Sequence, residues 1–168
     1  WKPPVAHSGW MLHYDLLQQH QLRYNPDYLT TQDYEFLCRI CEYTNPGIVP
    51  AVLLKYRQHP AATSTRYKVE QLSYHYAVSK QQIQNLIGTV DERCFDTLFS
   101  MQIARESPAT ATRHIVGAIR LLRWAYREFL NQHQPTTRGQ QQIQQDMLNQ
   151  IGSMASGAGR TGYFYAAL

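Results

Sequence analysis

The sequence predicts an α-rich α/β fold, a few strands followed by a C-terminal helical region, on three observations. A helical pattern opens at Gln32 and repeats Phe36, Leu37, Ile40 and Cys41 at helical spacing. An aliphatic run follows, Ile48 to Tyr56, in which Lys55 and Arg57 alternate with Leu54 and Tyr56 at the period of a partly buried strand. Beyond Ser64 the pattern turns helical, over about residues 67–87, 91–105, 110–132 and 139–151.

Residues 7–17, His-Ser-Gly-Trp-Met-Leu-His-Tyr-Asp-Leu-Leu, run into a short helical pattern, and Asn25-Pro26-Asp27 marks a turn. Thr30 followed three residues later by Asp33 fits a capping box with an acidic partner, which starts the next helix. Asn45-Pro46-Gly47 is expected to end it, because proline disfavours helical backbone in the residue before it and glycine tolerates the turn. The strand is expected to stop at Arg57-Gln58-His59-Pro60. Near 134–145 the chain is glutamine-rich, with Pro135, Thr136, Thr137 and Gly139 breaking the preceding helix, so a surface connection is expected. Gly152 to Gly162 is rich in Gly, Ser and Ala and is expected to be mobile.

At 168 residues and 43% hydrophobic, the chain is long enough to bury a core. Its 16 basic and 12 acidic residues leave a formal charge of +4, but no run of five Lys or Arg occurs. That modest field suits a phosphorylated substrate or an anionic membrane surface as well as nucleic acid. Nucleic acid is disfavoured, since basic and aromatic residues do not interleave on one surface. No apolar stretch reaches the roughly 18 residues of a spanning helix, and no signal peptide opens the chain. The expected compartment is the cytoplasm, including the inner face of the membrane as a peripheral protein. Three cysteines cannot all pair, and Cys38 and Cys41 sit inside a helical pattern without a second pair to complete a zinc site. Reduced, buried thiols are expected. The chain opens at Trp1, and Trp1-Lys2-Pro3-Pro4 has the character of the middle of a protein, so a fragment is expected.

Three pieces in order carry chemical information: a loop His7-Ser8-Gly9, a helix opening on Gln32-Asp33-Tyr34-Glu35-Phe36-Leu37-Cys38-Arg39, and the run Pro50-Ala51-Val52-Leu53-Leu54-Lys55-Tyr56-Arg57-Gln58-His59. Over about residues 5–66 this order resembles the second half of family 2 glycosyltransferases of the GT-A fold. There an acidic pair in Glu-Asp-Tyr-x-Leu/Phe-x-x-Arg precedes a Pro-x-x-Leu-x-x-Tyr-Arg-x-His strand. The two motifs together, at short separation, carry the resemblance; either alone is weak.

The resemblance implies an inverting transfer of a sugar from a nucleotide-sugar donor to a hydroxyl of a saccharide or glycolipid acceptor, in polysaccharide, lipopolysaccharide or glycolipid biosynthesis. Asp33 matches the general base, and such catalysis is typically worth about 10² to 10⁴ in rate. A helix N-terminus favours its charged form by roughly 0.3 to 1 kcal/mol. Read locally, Asp33 completes the cap begun by Thr30. Gln32 departs from the family's usual Glu, leaving an amide that hydrogen-bonds but carries no charge. Arg57 and His59 match positions near the diphosphate or its metal, where arginine clamps phosphate and neutral imidazole ligates a divalent ion. Their plainer readings are a solvated strand end and a turn histidine against Pro60. His7, Ser8 and Gly9 match a loop facing the acceptor, where Gly9 would admit close backbone approach.

The divalent cation, Mn²⁺ or Mg²⁺, is implied to be held mostly by an absent N-terminal nucleotide-binding half, whose Asp-x-Asp pair occurs nowhere in this chain. The implied organisation is an acceptor-side part over residues 1–66, a helical extension over 67–133, and a Gln-rich connection, short helix and tail over 134–168. The downstream aromatics Tyr74, Tyr76, Trp124, Tyr126 and Phe129 recur at helical spacing and are expected in the core. The competing expectation is a helical protein-interaction or scaffold module without catalysis, suggested by glutamine-rich helices with few charges.

Overall fold

A computed structural model describes residues 6–55, 57, 66–101 and 112–155. The chain divides into two compact units, Lys2–Val78 and Ser79–Ala167. Every regular element among the described residues is helical.

In the first unit a short 3₁₀ turn, His7–Gly9, precedes α1 (Tyr14–Gln19) and α2 (Gln32–Ile40). Helix α1 ends in a Schellman arrangement. Leu22 N–H donates to Leu17 O at 2.9 Å and Gln21 N–H to Gln18 O at 3.3 Å. Gln21 takes the left-handed position with φ 51°, where glycine is usual. The reversal delivers Leu22 to a small core with Phe36 and Ile40, against which Trp10, Leu12, Leu16 and Leu17 pack. Phe36 and Ile40 are four residues apart and so share one face of α2. The turn at Asn25 forms as expected: Asp27 N–H donates to Asn25 Oδ1 at 2.9 Å and Tyr28 N–H to Asn25 O at 3.2 Å.

Helix α2 begins one residue later than the capping-box reading places it. Its N-cap is Thr31, which makes no side-chain cap; the Thr31 hydroxyl donates instead to Gln71 O at 3.3 Å. Its end is also earlier than expected. Cys41 is the C-cap, its N–H bonded to Leu37 O at 3.0 Å, so the chain leaves the helix before Asn45 is reached.

The expected strand does not form, and with it the partial GT-A α/β architecture is corrected to an all-helical one among the described residues. Ile48 to Lys55 has no regular structure, with Ile48 60%, Val52 90% and Leu53 76% exposed. A strand exists only by pairing its backbone with a neighbour. Here the backbone instead bonds locally, Ala51 N–H to Val49 O at 2.8 Å, a γ-turn about Pro50 that takes up the start of the run. Proline suits that turn because its ring holds φ near −65°. Tyr56 and Gln58 to Thr65 lie outside the described residues.

The division between units falls within α3 (Lys68–Ile87). Beyond it lie α4 (Glu92–Phe99), α5 (Thr112–His133) and α6 (Thr137–Ala155). Gly88, at φ 80°, closes α3 with its N–H on Gln84 O at 2.8 Å. Asp91 caps α4, its Oδ1 accepting from Cys94 N–H at 2.9 Å. Helix α5 packs against α4 and α6, and the core holds Phe95, Leu98, Phe99, Ala118, Leu121, Leu122, Ala125 and Met154. Gly117 is required at the α4–α5 approach: a Cβ there would run into Cys94 Sγ.

Two further expectations change. The Gln-rich stretch is helix from Thr137 onward, started by the Thr136 hydroxyl accepting from Gly139 N–H at 3.2 Å. The aromatics Tyr74, Tyr76, Trp124, Tyr126 and Phe129 are none of them fully buried, and Trp124 is 43% exposed. Tyr126 reaches across to α6, its hydroxyl donating to Gln140 O at 3.2 Å. No described helix is long and apolar enough to cross a membrane.

Candidate functional site

The 3₁₀ turn at His7–Gly9 is built by Gly9 N–H on Ala6 O at 2.8 Å and Trp10 N–H on His7 O at 3.1 Å. It presents His7, Ser8 and Gly9 to solvent. The His7 ring meets Trp10 edge to face, with centroids 5.0 Å apart and planes at 79°. His7 Nε2 lies 2.6 Å from the Tyr24 hydroxyl. Tyr24 in turn packs on Phe36 of α2, with centroids 4.3 Å apart. A chain of rings thus runs from the loop to the first turns of α2.

Asp33 stands on that first turn. Its Oδ1 accepts from Tyr34 N–H at 2.8 Å, while Oδ2 receives no hydrogen bond from the described residues. The bond from Tyr34 N–H orients the carboxylate of a partly buried residue. Burial first, and then the Asp33 charge, raise the Tyr24 phenol above its ordinary value. The phenol keeps its proton near neutrality, so it can serve as a hydrogen-bond donor.

Gln32 begins α2 and is half-buried, with Oε1 lacking a hydrogen-bond partner among the described residues; the same holds for Thr30 Oγ1 beside it. An unused buried acceptor costs about 1–3 kcal/mol. Arg57 is exposed and outside any helix, and no described contact joins it to this cluster. His59 lies outside the described residues, so neither its metal-ligand nor its substrate role is placed. Among the described residues no three His, Cys, Asp or Glu side chains gather as metal ligands.

Of the residues singled out in the sequence, the structure puts His7, Ser8 and Gly9 on one turn and links His7 through Tyr24 to Phe36 of α2, the helix whose first turn carries Asp33. Sequence reasoning missed the residues that join them, Tyr24 and Trp10, and the ion pair that braces them. Arg39 Nε donates to Glu35 Oε1 at 2.5 Å and its second nitrogen to Oε2 at 2.9 Å. The signal for Tyr24 was its place immediately before the Asn25-Pro26 turn, where the chain reverses toward α2.

Cys38, Cys41 and Cys94 are free thiols, each partly buried. Burial pushes Cys38 up to about 12 and raises Cys41. Comparison of the chain with protein-family models, curated proteins and solved structures finds no match.

Proposed function

We propose that this chain is the acceptor-side part of an inverting glycosyltransferase, with Asp33 as the general base. In the reaction an acceptor hydroxyl oxygen bonds to the anomeric carbon of a nucleotide-activated sugar. The bond from that carbon to the nucleoside diphosphate breaks, and the hydroxyl proton passes to the Asp33 carboxylate. The observation that carries the reading is the chain of rings from His7 through Tyr24 to Phe36 of α2, the helix whose first turn carries Asp33, which links two positions that the sequence motif assigns to one site.

Each group has a task that its chemistry suits. Asp33 has one oxygen held by Tyr34 N–H, and its carboxylate is the group assigned to take the substrate proton. Tyr24 and His7 offer hydrogen-bonding atoms beside it, and Trp10 adds an apolar face of the kind that packs on the C–H face of a sugar ring. Arg57 and His59 are assigned to the leaving diphosphate, with His59 also a candidate ligand for its divalent cation.

The test is nucleoside diphosphate release from a panel of UDP-, GDP- and dTDP-sugars by the full-length natural protein that carries this sequence, with Mn²⁺ or Mg²⁺ and saccharide acceptors. Release from at least one donor, stimulated by acceptor, supports the reading; no release from any donor contradicts it. A second reading, a helical interaction module, draws on the all-helical described structure and on the exposed Val116, Trp124 and Leu148. Concentration-dependent sedimentation combined with an inactive donor panel selects it.

A further inference from the structure

The Glu35–Arg39 pair has the spacing of an ordinary helix-surface ion pair, which contributes little where solvent screens it. Two features separate it from that case. The Glu35 side chain is only 12% exposed. Arg39 also uses a third hydrogen bond that helix stability does not require, donating to Arg23 O at 2.6 Å. The same guanidinium lies over the Phe36 ring, 5.3 Å from its centroid, and that ring carries Tyr24 on it. Arg39 therefore holds both supports of Tyr24: the carbonyl of the residue before it and the ring beneath it.

We propose that Arg39, oriented by Glu35, is the positioning residue of this site, tying the Arg23–Tyr24 backbone to α2, the helix that carries Asp33, and so setting where the Tyr24 hydroxyl stands beside His7. The inference rests on the reading of Asp33 as base and extends it to the residues that fix its surroundings. The chemistry demands arginine. A planar fork serves both Glu35 oxygens and the Arg23 carbonyl at once, whereas a lysine ammonium on a flexible stem does not hold that geometry.

The experiment reads geometry rather than turnover. Tyrosine labelled with ¹³C at Cζ is titrated by NMR in the whole chain, the Tyr24 signal being identified by its loss in Tyr24→Phe. In the parent chain Asp33→Asn lowers the Tyr24 midpoint, because the Asp33 charge helps to raise it. In Arg39→Lys and in Glu35→Gln, each checked for helix content by circular dichroism, the response to Asp33→Asn is expected to shrink to less than half. An undiminished response in a folded variant overturns the proposal. Glu35→Gln, nearly isosteric, decides the matter if Arg39→Lys does not fold. The two readings fail separately. Lost coupling together with a fully active Asp33→Asn enzyme removes the base and leaves the clamp. Intact coupling together with an inactive Asp33→Asn enzyme does the reverse.

Discussion

His7 Nε2 and the Tyr24 hydroxyl lie 2.6 Å apart across 17 residues of chain, closing the loop that carries Trp10 onto the start of α2. The bond is exposed, so its contribution to stability is at the low end for hydrogen bonds, about 0.5 kcal/mol. Tyr24→Phe keeps the packing on Phe36 and removes that bond. The expected result is a small change in urea midpoint together with a shifted His7 ring resonance in NMR. An unmoved His7 resonance would show that the two rings do not meet in solution.

Gly117 sets the distance between α4 and α5. Gly117→Ala places a methyl against Cys94 Sγ and is expected to destabilise by about 1–3 kcal/mol through overpacking, despite alanine's better helix propensity. Cys94→Ala in the same chain should recover much of the loss. Denaturant unfolding of the two single variants and the double variant measures this as non-additivity; strictly additive effects would contradict the contact.

Acid should weaken the α4 end through Asp91 and Glu92. The backbone N–H of Cys94 holds Asp91 below the ordinary carboxylate range, and the Lys80 ammonium, 2.6 Å from Glu92, does the same there. Both groups bind protons less readily folded than unfolded. Their stabilisation is thus present above the unfolded values near 4 and is lost as pH falls through the lower folded values. Asp91→Asn should flatten the fall of the unfolding midpoint as pH drops below about 4. A parallel profile would remove Asp91 from the account.

Cys38, raised to about 12 by burial, stays a thiol at pH 8. Since thiolate is the reactive form, labelling of Cys38 by a maleimide or a disulfide reagent should be at least tenfold slower in the native chain than in urea. Equal rates would mean that the α2 face carrying Cys38 is open in solution.

The helices were legible because a buried face at helical period is a local property of the chain. The patterns near 67–87 and 110–132 correspond to Lys68–Ile87 and Thr112–His133 within two residues at each end. The strand was misread because the alternation about Leu54 to Arg57 describes a surface fit for burial without supplying the neighbour whose backbone makes a strand, and the start of the run is taken up by the γ-turn at Pro50. The cap at Thr30 was misplaced by one residue because Thr31 spends its hydroxyl on Gln71 O, 40 residues away, which no local window reveals. The site divides in the same way. His7 and Asp33 were visible as motif positions, whereas Tyr24 and the Arg39 contact with Arg23 O depend on the reversal after α1, where Gln21 adopts φ 51°.

The most direct test of the central claim is the turnover of Asp33→Asn and Asp33→Glu in the full-length natural protein, with the nucleotide-sugar that the donor panel identifies. The account predicts that Asp33→Asn lowers kcat by about 10² to 10⁴ with little change in donor KM, since the amide keeps the Tyr34 N–H bond and cannot take the proton. Asp33→Glu, which retains a carboxylate, should keep part of the rate. Undiminished kcat in Asp33→Asn would contradict the assignment of Asp33 as the base.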